Sequence, residues 1–150
     1  MKNLIITIFL FLSALINNLI AQEVITSKHN LDKISNKQDS FYNKPLKYFL
    51  NNLKIDISSL SYQKECESNP NQIILRFDER LEYNKMRSNK IIPARIIIQF
   101  VPDKDTQNIF KHLNNLGIVE DRDDIKDFIK KIENIKIFMI YGYNEHQIDK

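Results

Sequence analysis

The chain has 150 residues, a net charge of +3, and 43% hydrophobic and 10% aromatic side chains, a composition too apolar for intrinsic disorder and sized for one domain. So even a charge balance excludes a dedicated nucleic-acid or membrane-surface binder, whose affinity rests on a concentrated positive field. Only two glycines, Gly117 and Gly142, occur, which excludes the glycine-rich loops that cradle nucleotide phosphates.

Lys2 precedes an apolar run over 4–16, interrupted by Asn17 and Asn18, and a small residue, Ala21, stands before Gln22. A charged start, a short apolar run and a small residue before the cut form the secretory signal pattern. The run is shorter than the roughly 20 apolar residues a membrane span needs, so residues 1–21 are expected to be a cleaved signal peptide, with no transmembrane span left after cleavage. Cleavage takes away Lys2 and no acid, so the net charge falls from +3 to +2.

Residues 22–42 are polar with isolated apolar positions, and read as a loosely ordered lead-in. A helix is then expected, capped by Asn43, with Pro45 in its first turn and Leu46, Phe49, Leu50 and Leu53 on one stripe. "IDISSLSYQ" alternates weakly as a first strand. "QIILRFD" alternates clearly, with Ile73, Leu75 and Phe77 on one face and Ile74 and Arg76 on the other. "ERLEYNKMRSNK" is a polar connection with room for a short helix. "PARIIIQFV" is the next strand, with Ile96, Ile98 and Phe100 on one face.

A further helix is expected from Asp103 or Asp105 to Gly117, which suits a left-handed stop. "DRDDIKDFIKKIEN" follows as another, with acids at its positive end and Lys130 and Lys131 near its negative end. "IKIFMIYGY" closes as a central strand, covered on both sides at least in part, and 144–150 is a frayed tail. The order of elements predicts an α+β domain over 43–143, a mainly antiparallel sheet with helices packed on one face.

No catalytic set assembles from this pattern. His29 and His146 fall in the lead-in and the tail, and His112 lies on a helix. No metal-ligand spacing occurs, and helix capping accounts for the acids of "EDRDD", so no metal or other cofactor is expected. Cys66 is the only cysteine and forms no internal disulfide; it is a candidate reactive thiol. The arginines are less evenly spread: four of the five, Arg76, Arg80, Arg87 and Arg95, lie on one strand–connection–strand segment. In a lysine-rich chain such clustering marks places that need a planar, forked donor, one suited to a carboxylate or sulfate on a partner. The bland alternative is pairing with Asp78, Glu79 and Glu82 on a solvated hairpin.

"FYNKPLKYFLNNL", "IILRFDERLEYNKMRSNK", "PARIIIQF" and "IKIFMIYGY" together resemble small exported proteins of the Bacteroidota. The resemblance implies periplasmic or extracellular export and brings no activity or site with it. The expected function is a non-enzymatic exported module that binds a protein or cell-envelope partner, without nucleic acid or nucleotide. The rivals are a small periplasmic hydrolase or thiol enzyme, and a structural envelope component. Intact mass of the exported form should place its first residue at Gln22; retention of residues 1–21 with membrane association would overturn the signal reading.

Overall fold

The computed structural model describes residues 25–65, 70–114 and 116–147. Residues 1–21, where a signal peptide is expected, Cys66 and residues 148–150 lie outside the described residues. The architecture is the expected α+β one: a five-stranded antiparallel sheet, with helices packed on one face. A 3-10 turn, Lys28–Asn30, leads into α1 (Asp32–Ser35), α2 (Gln38–Phe41) and α3 (Leu46–Leu50). Then come β1 (Ser59–Gln63), β2 (Gln72–Arg76), α4 (Arg80–Ser88), β3 (Ile91–Ile92) and β4 (Arg95–Phe100). The chain ends through α5 (Lys104–Lys111), β5 (Leu116–Val119), α6 (Arg122–Ile132), β6 (Ile137–Tyr143) and β7 (His146–Gln147).

The strand order is β5-β1-β2-β4-β6, with every neighbouring pair antiparallel. Side chains alternate across a pleated strand, so one face collects Leu60, Ile73, Leu75, Ile96, Ile98 and Phe100, all fully buried. Phe49 of α3, Phe110 of α5 and Ile132 of α6 close over them. Phe110 lies 5.8 Å from Phe100 between ring centroids, and Phe128 of α6 stacks on Tyr62 at 5.0 Å. α4 alone adds nothing to this core; it lies against β3 beyond the sheet.

The two helices on either side of β5 in the chain, α5 and α6, begin as their sequences dictate. The Asp121 carboxylate accepts the backbone N–H groups of Asp123 (2.8 Å) and Asp124 (3.2 Å). Asp103, not Asp105, caps α5 by accepting the Thr106 N–H at 2.9 Å, and that bond holds its carboxyl below the usual aspartate range. Each satisfies donors that a helix start leaves without partners.

Five expectations are corrected. The lead-in is ordered from Ile25 onward: Leu31, Ile34 and Phe41 are buried in the core. Each sits on a helix of one turn or next to it, too short to show a helical period in sequence. Gly142 admits this segment, because a Cβ there would lie 1.7 Å from the Leu31 carbonyl oxygen. The Ser35 hydroxyl bonds both the N–H and the C=O of Gly142, and the Asn144 side chain accepts the Leu31 N–H.

Asn43 does not cap a helix but takes a left-handed turn at φ 58, and Pro45 stands before Leu46 at the helix start. Gly117 is no helix stop either. It lies in β5, on a strand that pairs with β1, under the Tyr62 ring where a Cβ would come within 2.2 Å. β6 is not a central strand but the edge of the sheet, and its outer side is bonded by Asn43 and Lys44 of the α2–α3 turn. A register shift at Gln99/Phe100 brings both Ile137 and Ile140 inward. The tail is paired in part, with His146 and Gln147 forming β7 against β3.

Ile98 is fully buried between strands, so Ile98→Asp should abolish folding, since an unpaired buried carboxylate costs several kcal/mol or more. Lys131 is exposed on α6, so Lys131→Asp should stay within about ±0.5 kcal/mol. Thermal melts of the two variants check this, and equal melting temperatures would contradict the strand register.

Candidate anion-binding site

The face of the sheet opposite the core carries the other half of each strand. The registers align its side chains in rows. One row runs Ser59, Arg76, Arg95, Tyr143 across β1, β2, β4 and β6. Arg76 and Arg95 are therefore direct cross-strand partners, like charges placed where they repel.

Neither guanidinium has a carboxylate within ion-pair distance among the described residues. Each is held by an aromatic ring instead. The Arg76 Cζ lies 5.4 Å from the centroid of Tyr83, which α4 brings over the sheet end, and the Arg95 Cζ lies 4.9 Å from that of Tyr143. Such contacts are worth about 0.5–1 kcal/mol each when exposed. Arg76 also donates from Nη1 to the Ser61 hydroxyl at 3.0 Å. Rings and a hydroxyl orient the forks without neutralising them, so their charge stays available.

The expected acid partners are engaged elsewhere. Asp78 is buried and ion-paired with Lys28 from the N-terminal segment; its second carboxylate oxygen has no hydrogen-bond partner. Glu79 and Glu82 make no ion pair with the arginines among the described residues. The pairing with Asp78, Glu79 and Glu82 considered from sequence is thus not what the structure contains.

A groove of about 450 Å³ opens at Arg76, between α4 and the ends of β1 and β2. Tyr83, Asn84 and Ser59 offer neutral donors in it, and Ile118 of β5 gives it an apolar wall. Its other charges are balanced: Arg80 pairs with Glu120 at 3.0 Å, and Asp78 with Lys28. Arg76 is left as the uncompensated charge. A second groove of similar volume shares the Arg80–Glu120 wall, but Asp56, Glu79 and Glu120 outnumber Arg80 and Arg122 there.

The structure thus brings together two of the four arginines singled out from sequence. Arg80 stands at the rim in its ion pair, and Arg87 is exposed on α4, with no ion pair among the described residues. His29, His112 and His146 are exposed on separate elements. Tyr83, Tyr143 and Ser61 escaped the sequence reading. Tyr143 was visible only as an alternating strand position, and Tyr83 and Ser61 carried no signal.

No helix among the described residues is long and apolar enough to cross a membrane. Comparison with family models, with curated proteins and with solved structures gives no match for this chain.

The repulsion is measurable as a coupling. A double-mutant cycle of Arg76→Gln and Arg95→Gln should return an unfavourable interaction between the two arginines of about 0.2–1 kcal/mol, shrinking as salt is raised. Zero coupling at low salt would mean that the two guanidiniums do not share one face.

Proposed function

We propose that this chain is an exported, non-enzymatic binding module that takes an anionic group of a protein or cell-envelope partner on the Arg76–Arg95 pair. One observation carries the reading: two guanidiniums opposed across β2 and β4, held by tyrosine rings and without a carboxylate between them. Opposed like charges weaken a sheet, and an anion bridging them converts the cost into binding. Arginine suits the task because its rigid fork matches a carboxylate or sulfate with two parallel hydrogen bonds. The apolar run over 4–16 and Ala21 before Gln22 support export.

The test is a titration of the isotope-labelled protein with sodium acetate and with sodium sulfate, following the arginine side-chain N–H signals by NMR. Saturable shifts should appear at Arg76 and Arg95 and not at Arg87 or Arg122. They should vanish in Arg76→Gln/Arg95→Gln and weaken in Arg76→Lys/Arg95→Lys, which keeps the charge and loses the fork. Equal, non-saturating shifts at all arginines would remove the site.

A further inference from the structure

The outer face of the sheet continues beyond the arginine row, and its chemistry changes in steps. The next row is apolar except for Ser61: Ile118, Ser61, Ile74, Ile97 and Tyr141 lie side by side across the five strands. The third row is polar and neutral: Gln63, Gln72 and Gln99, with Leu116 at one end and Met139 at the other. Two residues along a strand span about 7 Å. The second row therefore lies about 7 Å along the strands from the arginine row and the glutamine row about 14 Å, and the Arg76 guanidinium leans toward the second row, where it meets the Ser61 hydroxyl at 3.0 Å.

Ile74, Ile97 and Tyr141 are half-buried and do not belong to the core cluster. The helices that build the core pack on the opposite face, and α4 reaches this one at its end, where Tyr83 lies over Arg76. Ile118 and Leu116 extend the apolar surface to the β5 edge, with 63% and 67% of their surface exposed.

We infer that this face binds a single-chain anionic amphiphile, a medium-chain carboxylate taken from solution, with its head on Arg76 and Arg95 and its chain along Ile74 and Ile97. This names the ligand class for the anion site proposed above and rests on that reading. Charge complementarity selects the occupant. The outward positions of β1, β2, β4, β5 and β6 include two cations and no acid, and both cations stand in one row. That pattern matches one anionic head followed by a neutral body, whereas a polyanion needs cations spaced along its whole length. A second copy of the chain fits less well. Three rows across the sheet cover about 14 by 20 Å, roughly 300 Å² per partner, against the about 800 Å² of a standard stable interface. A small amphiphile needs only a few methylenes of contact, and the groove at Arg76 gives its head a walled seat with Ser59 and Asn84 as further donors.

The experiment is an NMR titration of the protein with sodium carboxylates from acetate to octanoate, each below its micellar concentration, and with 1-octanol as the uncharged counterpart. Affinity should rise by about twofold for each added methylene on this half-exposed face. Longer members should shift the Ile74 and Ile97 methyl signals together with the Arg76 and Arg95 side chains, while acetate shifts the arginines alone. Octanol should bind at least tenfold more weakly than octanoate. Ile74→Thr/Ile97→Thr keeps strand-favouring residues and should flatten the chain-length dependence while the acetate response remains. If that variant does not fold, the carboxylate series and octanol on the unaltered chain decide alone.

Equal affinity for acetate and octanoate would overturn the amphiphile and leave the anion site standing. Octanol binding as tightly as octanoate would overturn it too. Concentration-dependent self-association that protects Ile97 without any ligand would assign the face to a second copy and overturn it. Silence of both arginines toward every carboxylate would overturn the anion site as well.

Discussion

The antiparallel pairing of β2 with β4 is the constraint on which both faces of this protein depend. It sets Ile73 against Ile98 and Leu75 against Ile96 on the core side, and Ile74 against Ile97 and Arg76 against Arg95 on the outer side. A strand repeats every two residues, so a slip of one would carry the arginines into the core and the isoleucines out of it. Burying two guanidiniums without partners is far costlier than any outer-face gain could offset. The core therefore enforces the register, and the arginine pair follows from it. The repulsion between the arginines is tolerated because it is small beside the burial of four large aliphatic side chains.

The N-terminal segment links this sheet to the charge of the site. Gly142 lets the Leu31 backbone lie against β6, and Ser35 and Asn144 fasten it there with hydrogen bonds. The same segment carries Lys28 to Asp78, two residues beyond Arg76. An aspartate there would otherwise be a ready partner for the arginines. Arg80, likewise, is engaged by Glu120. Two charges lining the groove are thus matched, Arg80 by Glu120 and Asp78 by Lys28, and Arg76 is left without a carboxylate partner among the described residues. Long-range packing, rather than any local excess of basic residues, leaves this guanidinium unpaired.

Much of the architecture could be read from periodicity. "QIILRFD" and "PARIIIQFV" alternate so strictly that the strands and their inward faces follow at once, and Asp121 with the acids after it marks the start of α6. The segment 25–41 could not be read so. One-turn helices show no period, and Leu31, Ile34 and Phe41 are core residues only because Gly142 admits the backbone beside them. β5 was hidden because "LGIV" is short and Gly117 imitates a helix terminus; its strand conformation is fixed by pairing with β1 and by the Tyr62 ring over the glycine.

The sequence by itself determined the α+β class, the inward faces of β2 and β4, and the outward position of Arg76. These depend on local spacing, which a chain carries wherever it goes. Only the tertiary structure decided that Arg95 stands opposite Arg76, that Tyr83 and Tyr143 hold the two guanidiniums, and that Asp78 turns to Lys28 instead. Except for Tyr83 on Arg76, those are pairings between residues far apart in the chain. They depend on strand register and on which polar partner each charge meets once the core has closed, and no local pattern encodes either.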